Sequence, residues 1–439
     1  LLTRVPSFSP QLGTWLADSI KGGAVSQGFF QYQGSINHGS PSTAHNISLF
    51  FDVDDAELDY QPGWPALSKA KAQVRVEDTG VRIDVAKGQI LSSTVNDATA
   101  NIALGVPGGD THLLIDGKLA SNVADAMQIL QDSPLPTAET FAGWKGQGAL
   151  EGALKLDLPL QDMSKVVVQV DFSSKDSSLT IASPKLELSK IKGDFNFDSR
   201  KGLSADGLSA RALGHTVTGK AIAGTPDGAS NTLFDLKGKV ALETLTQWLA
   251  FTQPIPANGV IPYRLRINLG AQDSYLQVNS DLQGLAIDLP EPLGKPAASS
   301  SDAEFKMSLG TVPATYTVQY ADRASLAYTA GAENFLDGGG RMVLGAGRAQ
   351  PGRNKGLNIS GRIAELDVDA WQAAIKPYQN APVGDAKQLL NEARLRIDHF
   401  KGMGVEADNL NLDLKRTGAA WSVGLDSSLA KGQVKLPDS

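Results

Sequence analysis

The residues able to do acid–base or metal chemistry are few and scattered. His38, His45, His112, His215 and His399 are isolated, and no pair has metal-ligand spacing on an expected helix. His38 and His45 are close in sequence but sit in a Ser-, Asn- and Pro-rich stretch that reads as a solvated loop. Asp52, Asp54, Asp55, Glu57 and Asp59 form an acidic run that can attract a divalent cation. That run lacks the Gly and terminal Glu of a calcium loop, and the polar face of a strand accounts for it. Gly338-Gly339-Gly340 and Gly345-Ala346-Gly347 lie in a β-rich region with no helix following, so they do not read as a phosphate cradle. No G-x-S-x-G and no H-E-x-x-H occurs. A polysaccharide-active β-helical enzyme would need two carboxylates converging in a cleft, which no spacing here singles out. The expectation is a protein that is not an enzyme, with no catalytic residue, no metal and no cofactor.

What these residues sit on is a period-two alternation of apolar and polar side chains. It recurs at Val74-Arg75-Val76-Glu77, Val81-Arg82-Ile83-Asp84-Val85 and Leu154-Lys155-Leu156-Asp157-Leu158. It returns at Arg264-Leu265-Arg266-Ile267-Asn268-Leu269 and Leu410-Asn411-Leu412-Asp413-Leu414. Successive side chains of a strand point to opposite faces, so each segment is greasy on one side and polar on the other. Roughly two dozen such strands are expected. The same pattern suits a closed sandwich or solenoid core and an open groove lining, and periodicity alone does not separate them.

Composition narrows the class. A hydrophobic share of 41% and a charged share of 20% belong to a folded chain rather than a disordered one. The net charge of −7, without a basic cluster, argues against a nucleic-acid partner. With no Cys, disulfides and thiolate metal sites are excluded. No run of 18 apolar residues marks a transmembrane helix. The chain opens on Leu1 without a signal peptide and reads as an excised piece of a longer protein.

Short helices are expected to punctuate the strands. The spacing of Leu12, Trp15, Leu16 and Ile20 gives a helix near 10–21, stopped by Gly22-Gly23. Others are expected near 121–144, with Ser121 as cap, near 242–251 and near 368–376, and a further one near 385–392. Trp15, Trp248 and Trp371 fall on these patches and read as caps over sheet edges, or as edges of a groove. Pro290 to Ser301 reads as a stiff-then-flexible linker. The expected organisation is a first β segment over 1–225 and a second over 226–439, in one continuous elongated fold.

Several stretches resemble the YhdP group of AsmA-like proteins. They are Phe50-Phe51-Asp52-Val53-Asp54-Asp55-Ala56-Glu57-Leu58-Asp59-Tyr60-Gln61-Pro62-Gly63-Trp64-Pro65, Phe195 to Ala205, and Leu285 to Pro296. The similarity is spread over most of the chain. It implies a bacterial envelope protein of the periplasm, anchored in the inner membrane by an N-terminal helix outside this segment. It implies a mainly β fold: a long, twisted, mainly antiparallel sheet curled into an apolar groove, with a few short amphipathic helices. It also implies that phospholipid passes along the groove between inner and outer membranes. The alternative is a non-enzymatic scaffold that assists outer-membrane assembly or secretion. The expected partners are phospholipid acyl chains and, through parts outside this segment, the two membranes.

Strand parity then nominates the lining: Phe51, Val53, Leu58, Val74, Val76, Val81, Ile83, Val85, Leu154, Leu156, Val168, Val170, Leu179, Ile181, Phe195, Phe197, Leu265, Ile267, Leu276, Val278, Leu285 and Ile287. Arg75, Arg82, Asp84, Lys155, Asp157, Arg264 and Arg266 are expected to face water. Asp54-Asp55 is expected to hold a bulge that shifts parity by one.

Overall fold

A computed structural model describes residues 14, 17–35, 45–60, 62–103, 111–133, 138, 141–160, 162, 165–182, 185–224, 230–251, 253–270, 273–352, 355–378, 389–418 and 420–437. His38, Trp15 and half of the expected first helix, residues 10–13, 15 and 16, lie outside them. Strand makes up 66% of the described residues, so the mainly β class holds. The chain forms two compact units, residues 1–212 with 220–232, and residues 213–219 with 233–439.

In the first unit, strands β1 (Ile20–Gly34), β2 (His45–Leu58), β3 (Leu67–Glu77), β4 (Gly80–Ile90), β5 (Ser93–Ala103) and β6 (His112–Asn122) form an antiparallel meander. Helix α1 (Val123–Asp132) follows directly. It leads to β7 (Lys145–Gln147), β8 (Ala149–Pro159), β9 (Val167–Ile181), β10 (Leu186–Asp198) and β11 (Gly202–Ala212). β8 returns alongside β6, while β7 and β8 pair with successive halves of β9.

α1 is fixed by its own first turn. The Asn122 side chain accepts from the Asp125 amide at 2.9 Å, satisfying an orphan donor. Asp125 is buried, and its carboxylate accepts from the Ser92 amide at 3.0 Å and from the Ser92 and Ser93 hydroxyls. One charged side chain thereby staples the helix to the β4–β5 turn. Ile20, expected at the end of a helix, instead opens β1, which runs through Gly22-Gly23. A glycine pair that would stop a helix is tolerated in a strand that pairs along its length with β2.

Two strands lie at the boundary of the units, β12 (His215–Gly224) and β13 (Asn231–Ala241). The second unit continues with α2 (Leu242–Trp248), β14 (Ala257–Gly270), β15 (Tyr275–Ser280) and β16 (Leu285–Ile287). Short strands follow: β17 (Ala303–Ser308), β18 (Thr315–Tyr320), β19 (Ala324–Thr329) and β20 (Gly339–Leu344). Then come β21 (Gly356–Asp367), helix α3 (Val368–Ile375), β22 (Leu390–Gly402), β23 (Val405–Thr417), β24 (Ala420–Asp426) and β25 (Lys431–Pro437). The Asp367 side chain caps α3 through the Ala370 amide at 2.9 Å.

The sheet of this unit is mixed rather than uniformly antiparallel. β21 runs parallel to both β20 and β22. A parallel neighbour needs a crossover, and α3 lies in the β21–β22 connection. The β20–β21 connection crosses the polar face, where the Ala349 amide donates to the Ser325 hydroxyl at 2.9 Å. Ser325 and Ala327 are buried beneath it, although they point away from the apolar face.

Two further expectations change. Residues 390–392, expected to end a helix, open β22, whose other end turns into β23 through Met403-Gly404, both at positive φ as a two-residue hairpin demands. Pro290 to Ser301 is not a linker. Ile287 and Lys295 bridge each other, Gly284 donates to Ala297 at 2.9 Å, and Ser301 donates to Asp281 at 2.7 Å. Proline restricts the segment's backbone, and external donors satisfy the carbonyls it leaves without partners.

Candidate functional site

The candidate site is the apolar face that the sheet presents in each unit. In the first unit, backbone register lines up nominated residues from strand to strand. One row runs Phe51, Val74, Ile83, Ala100, Ile115, Leu156 and Val168. Beside it, Leu49, Val76, Val81, Ile102, Leu113 and Leu158 form a second. On the other side Val53, Ala72, Val85 and Ala98 lead by way of Gly117 to Leu154, Val170, Phe197 and Leu203. Leu58 meets Leu67, which meets Ile90. Leu179 and Ile181 pair with Leu188 and Leu186. Phe195 stacks on Phe172 with 4.9 Å between ring centres.

Bulges keep these rows on one face. Apolar spacing jumps from two to three at Val53/Ala56, Leu67/Ala70, Val95/Ala98 and Leu188/Ile191. Inside each gap sits one charged residue at positive φ: Asp55 at 54°, Lys69 at 50°, Asp97 at 46° and Lys190 at 52°. The inserted residue absorbs the parity change, so Leu58 stays on the face of Phe51. The bulge expected at Asp54-Asp55 is present, with the register shift between Val53 and Ala56. Through the β3 and β4 registers, the bulges at Asp55, Lys69 and Asp97 fall nearly side by side, a crease across β2 to β5.

In the second unit one row crosses eleven strands. Leu265, Val278, Phe305, Val318, Leu326 and Met342 are partners in turn. The row continues through Ile359, Ala393, Leu414, Val423 and Val434. Ile267 meets Leu276, which meets Met307. Leu285 and Ile287 stand apart from these rows, because β16 pairs with the start of β14 at Ala257 to Gly259. All of the nominated residues are buried or half-buried.

The opposite face is polar and wet. Lys71 pairs with Asp54 at 3.3 Å, Arg82 with Asp84 at 2.7 Å and Lys118 with Asp97 at 3.2 Å. Such exposed pairs contribute about 0–1 kcal/mol each. His112 is bonded to Asp157, and His399 to Asp408 at 2.9 Å, which holds its imidazole above the ordinary value. His45 opens β2 rather than lying in a loop. Among the described residues no three His, Asp or Glu side chains form a group able to hold a metal ion.

Besides Asp125, two buried carboxylates escaped the sequence reading. Asp235 on β13 is gripped by Arg264 at 2.5 and 2.7 Å, with Arg266 at 3.8 Å. Arg264 faces water as expected, but Arg266 is half-buried and its Nε lacks a hydrogen-bond partner. Asp198 accepts from Arg200 and, at 2.8 Å, from Gln169, and the Arg200 guanidinium holds its carboxyl well below the usual range. The signal for both was an acid beside an arginine two residues or one strand away, indistinguishable by parity from a solvated pair.

A search of family models matches residues 5–439 to the YhdP protein family. This chain belongs to that family. The match covers nearly the whole chain, and membership suggests an envelope protein with a role related to lipid transport. No curated protein and no solved structure matches this YhdP family member. Among its described residues no helix is long and apolar enough to cross a membrane.

Proposed function

We propose that this YhdP family member binds phospholipid acyl chains on its apolar face and conducts them along a periplasmic bridge between inner and outer membranes. The observation that carries the reading is row continuity. An apolar side chain meets an apolar side chain from Phe51 to Val168 in the first unit, and from Leu265 to Val434 in the second. A path of this kind needs apolar surface and tolerance of sliding, not hydrogen bonds. Each methylene withdrawn from water contributes about 0.8 kcal/mol, so a chain is held without any single strong contact. The polar face would keep the protein wetted, and headgroups would remain at the rim. The proposal includes no catalysis. In this reading an inner-membrane anchor and contacts at both membranes are supplied outside the segment described.

One observation favours the scaffold reading instead. Val76 and Ile397 are closed off by their own neighbours, as in a core that binds nothing. Photo-crosslinking from the apolar face separates the two. Phospholipid captured there supports conduction, and capture of neighbouring protein segments alone supports the scaffold.

A further inference from the structure

In the second unit the apolar face is walled at two ends of the short strands. β18 presents Tyr316, Val318 and Tyr320 to that face, because residues two apart share a side. At the Tyr316 end stands the 3-10 turn Phe335–Asp337. Phe335 packs on Tyr316 with 5.5 Å between ring centres and on Tyr328 with 5.0 Å, and the Tyr328 hydroxyl donates to the Phe335 carbonyl at 2.7 Å.

At the Tyr320 end lies the segment Ile287–Lys295. Its neck is closed by paired backbone bonds between Ile287 and Lys295, at 2.8 and 3.0 Å. Its tip is held from outside by donors to its carbonyls. The Tyr320 hydroxyl reaches Leu293 at 3.2 Å, and the Trp371 indole N–H reaches Glu291 at 3.2 Å. Arg323 reaches Pro292 at 2.9 Å and Gly294 at 2.6 Å. The buried Lys295 ammonium secures the neck through the carbonyls of Leu282, Leu285 and Pro296 at 2.8, 2.7 and 3.0 Å. Between the walls the floor is Phe305, Val318, Leu326 and Met342. Val318 is 36% exposed, whereas Ala324 and Tyr328 toward the walls are 9% and 4%. The two tyrosines are four residues apart, about 13 Å along the strand.

We propose that the Ile287–Lys295 segment is the wall that sets the width of an apolar lane across β17 to β20, and that Arg323 is the positioning residue that holds it. The inference rests on the reading that acyl chains occupy this face. Arg323 alone supplies donors to two of the tip's carbonyls, both from Nη1, whose two N–H bonds are fixed in direction by the guanidinium plane, whereas a lysine ammonium at 323 sits on a flexible stem. With the wall seated, the lane admits chains lying lengthwise across the strands and excludes bulkier groups.

The chain has no Cys, so Val318→Cys gives a single reactive thiol on the floor. Labelling is timed with N-ethylmaleimide and with the bulkier pyrene maleimide, in the Val318→Cys protein and with Arg323→Gln or Arg323→Lys added. The expected result is pyrene labelling at least tenfold slower than ethyl labelling in the parent, with Arg323→Gln removing most of that gap and Arg323→Lys only part. Amide exchange of the peptide over 286–296 should rise in Arg323→Gln, while exchange over β22 and β23 should not. An unchanged size gap and unchanged exchange would overturn the wall. The same thiol is then timed with dioleoyl phosphatidylglycerol vesicles present. Protection supports acyl occupancy; a gap that closes without lipid protection leaves the wall standing and removes the acyl reading.

Discussion

Gly117 and Ala98 face each other across β6 and β5 with no room for another carbon: a Cβ on Gly117 would lie 2.6 Å from that of Ala98. The contact sits beside the Asp97 bulge, where the crease draws the two strands' apolar sides together. Gly117→Val is expected to destabilise the first unit by about 1–3 kcal/mol through overpacking. Gly207→Ala, with nothing within 4 Å, is the matched control and should stay within about 0.5 kcal/mol. Urea unfolding followed by circular dichroism reads both.

Asp97 is there for its backbone. At φ 46° a side chain is strained, and Gly adopts that conformation freely. Asp97→Gly is expected to be neutral to within about 1 kcal/mol, the loss of the Lys118 pair being small. Deleting residue 97 is different. It would turn Ala98, Ala100 and Ile102 toward water, and soluble, folded protein should not be recovered. Expression level and thermal melting distinguish the two variants.

Asp198 gives a pH dependence with a definite sign. Its folded pKa is depressed, chiefly by the Arg200 hydrogen bond, so the carboxylate contributes stability above the ordinary unfolded value near 3.9. That contribution is lost as pH falls from there toward the folded value. The melting temperature of the wild type should drop more steeply below about pH 4 than that of Asp198→Asn, which starts lower at pH 7. Parallel curves would show that the carboxylate carries no such linkage.

Asp235 tests a buried charge held by two arginines. Asp235→Asn keeps the shape and removes the charge, and should cost about 1–3 kcal/mol in chemical denaturation. Arg264→Gln should cost less than Asp235→Asn, since Arg266 remains nearby at 3.8 Å.

Much of the apolar face was legible because β sheets record their faces in parity. Phe51, Val74, Ile83 and Leu156 were placed by alternation alone, and register aligned them. Even the bulge at Asp55 left a mark, since apolar spacing jumps from Val53 to Ala56. What parity could not carry was anything made by partners distant in sequence. The Pro290 to Ser301 stretch has a linker's composition, yet Tyr320, Arg323 and Trp371 hold it from three other elements. Arg266 looked like any outward residue until a buried Asp235 stood beside it. The parallel placement of β21 likewise follows from crossovers, which no local pattern announces.

The central claim is that acyl chains lie on the face that carries Phe197. Phe197 is half-buried in the row with Val170, and its neighbour Asn196 is exposed on the other face. An aromatic photo-crosslinker suits position 197, and the same group at 196 is the control. The measurement is mass spectrometry of lipid covalently captured at each position after illumination in cells. Phospholipid at 197 and not at 196 is the expected result. Equal capture at both positions, or capture at neither with the protein folded, would contradict it.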